Sequence, residues 1–346
     1  MSTTSSSQEQ TPLFSQQVGV IGSGSWGTAL SLLLAQTQQE VLLWGHRSET
    51  IIKLRTNRLN NTYLPGIPLP TNILPTDSLE ELAQASILLF VVPSLFLPNI
   101  AQKLAPFLRP HQHIIISCTK GLEYQKGKVM SELLEQELPN QEIGVLSGPN
   151  LALEIAQGLP AAGVLAAKNE IILPKLTPLF PQQRYRTYSS NDWRGVQLGG
   201  ALKNIFAIAA GVADGLNVGS NAKAAIVNRS LAEMQRLGIA LGGKGETFQG
   251  LSGLGDLMLT CYSPQSRNHR AGRELATGHK ISNINPQSHM VVEGLSTAKS
   301  AQHAARKHQI STPIIDQVVA LLKGETTASA AMQQLLSRPL TKELLP

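Results

Sequence analysis

From Gln17 onward, short apolar runs alternate with longer stretches of helical spacing. Gln17–Ile21 is a β-branched run of strand length, Thr28–Gln36 has a helical pattern, and Val41–Trp44 is the next strand. Ile87–Val92 and Ile114–Ser117 are apolar runs of buried-strand length with a helix-like stretch between them. Ile143–Ser147, Val164–Ala167 and Tyr185–Ser189 extend the β pattern. Strands spaced by helices predict a mostly parallel sheet with helices on both faces. After about Asn191 the pattern changes. Residues 197–216, 222–241, 270–277, 294–309 and 313–322 carry helical spacing rich in Ala and Leu, with no clear strand among them. The expected division is a disordered polar extension over 1–16, a strand-and-helix domain over 17–191, and a helical domain over 192–340.

Directly after the first strand comes Gly22-Ser23-Gly24-Ser25-Trp26-Gly27, a GxGxxG that opens a helix. The first glycine permits the tight turn, the second lets backbone approach a pyrophosphate, and the third lets helix and strand pack closely. The helix start adds unpaired N–H donors. Glycine turns are common, but this strand-turn-helix setting marks a dinucleotide site. NAD sites usually end the second strand with an acid that accepts from the ribose 2′-hydroxyl. This chain has Gly45-His46-Arg47 there. Arg47 can pair with a 2′-phosphate, which favours NADP, or it can simply solvate a loop.

Two more turns follow strands at the edge where doubly wound sheets bind ligands. Cys118-Thr119-Lys120-Gly121-Leu122-Glu123 directs Lys120 toward the crevice, and Ser147-Gly148-Pro149-Asn150 adds bare backbone and an amide. Either alone is also an ordinary turn. In the helical half, Gly199-Gly200-Ala201-Leu202-Lys203-Asn204 lies within an apolar helix. Each glycine there costs about 1 kcal/mol relative to Ala, which implies that something packs closely. Lys203, among apolar neighbours, is expected to be partly desolvated, with a pKa lowered toward the range useful for proton transfer. The alternative is a lysine that snorkels to solvent. Gly253-Leu254-Gly255-Asp256 is followed by Ser263-Pro264-Gln265-Ser266-Arg267-Asn268. With Ser266 capping a helix over 270–277, the hydroxyl, guanidinium and amide would form a phosphate site, or no more than an N-cap.

Composition narrows the class. The 346 residues suffice for two domains, and two cysteines, Cys118 and Cys261, exclude a disulfide framework or a CxxC site and fit a reducing compartment. The net charge of +6 is scattered and aromatics are only 4%, so no nucleic-acid partner is expected. The histidines lack ligand spacing, so no metal is expected. The longest apolar stretch, Ile87–Leu97, is broken by Pro93 and Ser94, and the first residues carry no signal-peptide pattern. A cytoplasmic enzyme without stable membrane insertion, acting on a small anionic substrate, is the expectation.

In order, GSGSWGTAL, LWGHR, CTKGLE, SGPN, GALKNIFAIAAG, GLSGLGDLMLTC, SRN and VVEG resemble the bacterial-type NAD(P)-dependent glycerol-3-phosphate dehydrogenases, from about Gln17 to Leu335. GxGxxG is shared by many families, whereas ALKN, GLGDL and SRN in this order are specific. The resemblance implies a Rossmann-type doubly wound α/β sheet followed by an all-α C-terminal domain. It also implies NADP(H) or NAD(H) as cofactor, and interconversion of dihydroxyacetone phosphate and sn-glycerol 3-phosphate for glycerophospholipid synthesis. Lys203 matches the family's proton-transfer lysine, and Lys120 the lysine near substrate and nicotinamide. Gly148, Asn150, Asp256, Ser266, Arg267 and Asn268 match substrate contacts, Arg267 also lying near the cofactor. Ser25, Trp26, His46, Arg47, Tyr63, Ala152, Val291 and Glu293 match cofactor contacts, beside Gly22, Gly24 and Gly27. A related β-hydroxyacid dehydrogenase would keep the lysine but bind a carboxylate in place of the phosphate. A non-catalytic NADP-binding protein would not need Lys203. The extension before Gln17 departs from the family pattern and has no assigned role, and a homodimer is one open assembly.

Overall fold

The computed structural model describes residues 17–37, 39–279 and 292–339. Strand β1 (Gln17–Ile21), helix α1 (Ser25–Ala35) and strand β2 (Glu40–Trp44) open the chain. Helix α2 (Ser48–Asn57) leads into the hairpin β3 (Leu59–Asn60) and β4 (Leu64–Pro68), then β5 (Ile73–Thr76). Next come α3 (Leu79–Leu82), β6 (Ile87–Phe90), α4 (Leu97–Leu104), β7 (Ile114–Ser117) and α5 (Met130–Glu137). The sheet is completed by β8 (Glu142–Ser147), α6 (Ala152–Ala156), β9 (Ala161–Ala167), α7 (Leu173–Leu176) and β10 (Tyr185–Ser190).

The eight-stranded sheet has the order β10-β9-β8-β7-β6-β1-β2-β5. Every pair from β5 to β8 is parallel, while β9 runs antiparallel to β8 and carries β10 parallel to itself. This is the Rossmann-type doubly wound sheet. The β3–β5 segment gave no strand signal because prolines interrupt it. They are tolerated at the sheet edge and in the hairpin, where no ladder donor is lost. The sixth strand ends at Phe90, two residues before the apolar run does.

Register positions the functional edge. Ile21 lies beside Trp44 and Phe90, Phe90 beside Ser117, and Ser117 beside Val145. The carboxyl ends of β2, β1, β6, β7 and β8 therefore emerge along one rim. Strands β6 and β7 are buried along their whole length, as central strands covered on both faces must be. Residues of α1, α6 and α7 join the core on one face, and residues of α3, α4 and α5 that on the other.

The second half is helical: α8 (Trp193–Gly215), α9 (Gly219–Ala240), α10 (Asp256–Tyr262), α11 (Arg267–Ala276), α12 (Glu293–Lys307), α13 (Pro313–Lys323) and α14 (Ala328–Leu336). Every residue of α8 from Gly195 to Ala213 is buried, because α9 to α13 pack around it. Each Leu, Ile or Phe so buried contributes about 1.5–3 kcal/mol. By length and composition α8 could cross a membrane, but here it is the core of the helical half. The helix starts four residues before its apolar pattern. The Asp192 Oδ1 atom accepts from Gly195 N (2.9 Å), while its Oδ2 accepts from Lys244 N (2.8 Å) and Thr247 Oγ1 (2.6 Å). The loop after β7 reaches across: Leu122 and Val129 belong to the helical core, which anchors the Lys120 segment on both halves.

Candidate active site

The glycine turn fits a dinucleotide by its geometry. Gly22 has φ +121°, and a Cβ there would meet Val91 O at 2.5 Å. A Cβ on Gly27 would overlap Gly22 O, so α1 can cross the turn only without a side chain at that position. At Gly24 a Cβ would meet nothing within 4 Å, and no side chain caps α1. The helix start thus opens onto free space with its N–H groups and positive end presented, as a pyrophosphate requires. Ser25 Oγ donates to Tyr63 O at 2.7 Å, bringing those two predicted residues together. Asn60, which the sequence did not mark, staples the turn by donating to Ser23 O (2.9 Å) and Thr28 Oγ1 (2.7 Å). Trp26 and Ala152 pack on the adjoining core, where α6 lies against α1. His46 and Arg47 stand exposed past β2, with Arg47 Nε donating to His46 Nε2 at 3.3 Å. Partial burial and the Arg47 charge lower the His46 pKa, favouring the neutral ring that accepts this bond.

Across the rim, three long-range partners meet. Both lysine ammoniums donate to one carboxylate: Lys120 Nζ to Asp256 Oδ2, and Lys203 Nζ to Asp256 Oδ1 at 2.9 Å. Lys120 Nζ also donates to Gly148 O (3.0 Å), and Lys203 Nζ to Thr260 Oγ1 (2.6 Å). Burial alone would push the Asp256 carboxyl up, but the two ammoniums outweigh it and hold it below the usual carboxylate range. Burial lowers Lys203 to about 8, with the Lys120 charge adding to it and Asp256 opposing it. The expected desolvation of Lys203 is therefore present, and its amine does not snorkel out.

The glycines of α8 make this meeting possible. A Cβ on Gly199 would meet Ser252 O at 2.5 Å, and one on Gly200 would meet Ser147 Oγ at 2.5 Å and Lys120 Cδ at 3.5 Å. The first admits the π-helical turn Leu251–Gly255 that delivers Asp256, and the second admits the Lys120 side chain. Thr260 was missed by sequence reasoning. It lies one turn after Asp256 on α10, an i,i+4 spacing that could have flagged it.

The phosphate candidates cluster at the start of α11. Ser266 is its N-cap, accepting from His269 N at 3.2 Å, so the helix begins three residues earlier than the pattern over 270–277 suggested. Asn268 Nδ2 donates to Asn204 Oδ1 (2.8 Å) and Asn268 Oδ1 accepts from Gly294 N (3.0 Å). That chain ties the residue after Lys203 to the residue after Glu293. Glu293 accepts from Ser94 N (3.1 Å) and Ser94 Oγ (2.7 Å), on the loop after β6. Burial raises the Glu293 pKa against these bonds and the nearby Arg267 charge. Burial likewise lowers Arg267, opposed by Glu293. Asn204 and Ser94 are additions that only the fold reveals. Val291 lies outside the described residues.

A glycine turn open to a pyrophosphate, and two lysines on one buried carboxylate, fit a nicotinamide-dependent oxidoreductase. The comparisons narrow the class. The chain belongs to the NAD-dependent glycerol-3-phosphate dehydrogenase family: its N-terminal model matches residues 17–172 and its C-terminal model residues 192–333. A glycerol-3-phosphate dehydrogenase [NAD(P)+] of Desulfotalea psychrophila is 44% identical, with 94% of this chain and 98% of that one covered. One of Fusobacterium nucleatum is 42% identical over 93% and 97%. The crystal structure of glycerol-3-phosphate dehydrogenase from Coxiella burnetii superposes with a TM-score of 0.89 at 38% identity, covering 93% of this chain and 99% of that one.

Proposed function

We propose that the protein reduces dihydroxyacetone phosphate to sn-glycerol 3-phosphate, and catalyses the reverse, at the rim between the glycine turn and α8. The observation that carries this reading is the Asp256 carboxylate bridging Lys120 and Lys203. Gly22, Gly24, Ser25, Trp26 and Gly27 would hold the dinucleotide, with His46, Arg47, Tyr63, Ala152 and Glu293 around it. The bound nicotinamide supplies or accepts the hydride. Lys203, as ammonium, donates a proton to the ketone oxygen as negative charge builds there, a contribution of about 10²–10⁴ in rate. Asp256 holds Lys203 and Lys120 in place, and Lys120 adds positive charge beside the developing alkoxide. Gly148 and Asn150 border the same place, and Ser266, Arg267 and Asn268 receive the phosphate at the α11 start. Residues 17–191 thus form the dinucleotide-binding domain, which also lends Lys120, Gly148 and Asn150 to the substrate, and 192–340 the helical substrate domain, which also lends Glu293 to the cofactor.

The product is a glycerophospholipid backbone, and the free, buried thiols of Cys118 and Cys261 accord with a cytoplasmic location. Gly45-His46-Arg47, in place of an acid at the end of the second strand, favours NADP(H) over NAD(H). The deciding assay is NADPH oxidation with dihydroxyacetone phosphate beside a panel of 3-keto acids. Turnover of the keto acids alone would replace this reading with that of a β-hydroxyacid dehydrogenase. Sedimentation of the same preparation decides between monomer and homodimer.

A further inference from the structure

Tyr185, on β10, is fully buried among the sheet and its helices. Its ring lies 5.5 Å from that of Phe180, and its hydroxyl donates to Asn150 Oδ1 at 2.9 Å. Space for that hydroxyl is provided by Gly163 on β9, where a Cβ would overlap Tyr185 Oη. The turn after β8 packs on the same glycine: a Cβ on Gly148, whose φ is +131°, would meet Gly163 Cα at 3.1 Å. Three strands therefore converge on one tyrosine–asparagine hydrogen bond. On the other side of that amide, Asn150 Nδ2 is buried and has no hydrogen-bond partner among the described residues. A buried, unmatched donor costs about 1–3 kcal/mol, so it is kept where something is to receive it.

We propose that Tyr185 is a positioning residue that fixes the orientation of the Asn150 amide, so that its NH2 group donates to an oxygen of the substrate. This deepens the reading of Asn150 as a substrate contact and rests on it. An amide can present either its oxygen or its nitrogen to a ligand, and the choice is set by what the other end binds. The Tyr185 hydroxyl donates to Oδ1, which leaves the NH2 group as the end of the amide without a partner among the described residues. Burial pushes the phenol pKa up, so the hydroxyl stays a neutral donor. The ketone, hydroxyl and phosphate oxygens of a triose phosphate are acceptors, and an inverted amide would set oxygen against oxygen. Without the hydroxyl, the amide is free to invert.

The test is steady-state kinetics of the full-length enzyme with NADPH and dihydroxyacetone phosphate, beside thermal melting. Tyr185→Phe should raise the KM for dihydroxyacetone phosphate about five- to tenfold, as for one lost orienting hydrogen bond, with kcat and the NADPH KM within about twofold. Tyr185→Phe combined with Asn150→Ala should be no worse than Asn150→Ala alone, because both remove the same donor. Asn150→Asp keeps the acceptor for Tyr185 but turns a carboxylate oxygen toward the substrate, and should raise the same KM more than about tenfold. A Tyr185→Phe KM within about twofold of wild type, multiplying losses in the double variant, or an unaffected Asn150→Asp would each overturn the proposal. A fall in Tm with kcat and both KM values drifting together would mark a packing role and overturn it too. An inactive wild-type protein would overturn the functional reading and this proposal with it. An active wild type with normal Tyr185→Phe kinetics overturns this proposal alone.

Discussion

At the α1 end of the proposed site the binding surface is backbone: Gly22 and Gly27 exclude side chains, and Gly24 leaves peptide N–H groups open. At the α8 end it is side chain: Asp256 holds Lys120 from the sheet and Lys203 from the helical half. The first surface is made by six consecutive residues. The second joins residues 136 and 53 positions apart. A backbone cradle recognises a group common to all dinucleotides and needs no titrating residue. In the proposed reaction the lysine pair places charge and a movable proton at one oxygen, and burial lowers the Lys203 pKa to about 8. Binding and chemistry are thereby separable by mutation.

The largest effect should come from Lys203→Met, which keeps length and apolar packing and removes both proton and charge. The expected fall in kcat is at least about 10³, combining a lost general acid with lost oxyanion stabilisation. NADPH binding, read by fluorescence titration, should hardly change. A folded variant retaining a tenth of wild-type kcat would move the acid role to Lys120 or water. The wild-type pH profile sharpens the same point. Donation requires protonated Lys203, so the reduction rate should fall as pH rises through about 8, while glycerol 3-phosphate oxidation, which needs the free amine, rises over the same interval. Parallel profiles in the two directions would contradict the assignment.

Asp256→Asn should cost about a hundredfold in kcat, since both ammoniums lose their anchor and small misplacements are expensive. With the favourable charge gone, the Lys203 pKa should drop further, moving the reduction profile to lower pH. An unshifted profile would mean that Asp256 does not control Lys203.

On the backbone side, Gly27→Ala forces a methyl onto Gly22 O, a clash of about 1–3 kcal/mol. NADPH and NADH affinity should weaken together. If kcat at saturating cofactor also collapsed, the two ends would not be separable. The smallest effect belongs to Arg47→Ala. Because Arg47 is exposed, its loss should weaken NADPH relative to NADH by only about 1 kcal/mol, roughly fivefold. Equal losses for both cofactors would remove its phosphate role.

The strands and helices that carry the site were legible because each is a local pattern: a β-branched run before GxGxxG, or apolar spacing along α8. The β3–β5 segment was not, because its prolines are permitted by an edge position that the sequence cannot announce. The reversal of β9 was equally hidden, since an apolar run carries no direction.

The site divides the same way. The glycine turn, the exposed Arg47 and the Ser266 cap can be read from neighbouring residues, since turn geometry and capping depend on contacts within a few positions. The family resemblance named Lys120, Lys203 and Asp256 but gave no account of their meeting. Only the tertiary structure put two ammoniums on one buried carboxylate, added Thr260, and linked Asn204, Asn268 and Gly294 into one chain. The reason is physical. A side chain's charge state and partners are set by what surrounds it in space, and here those surroundings come from elements that are neighbours only after the helical half closes on the sheet.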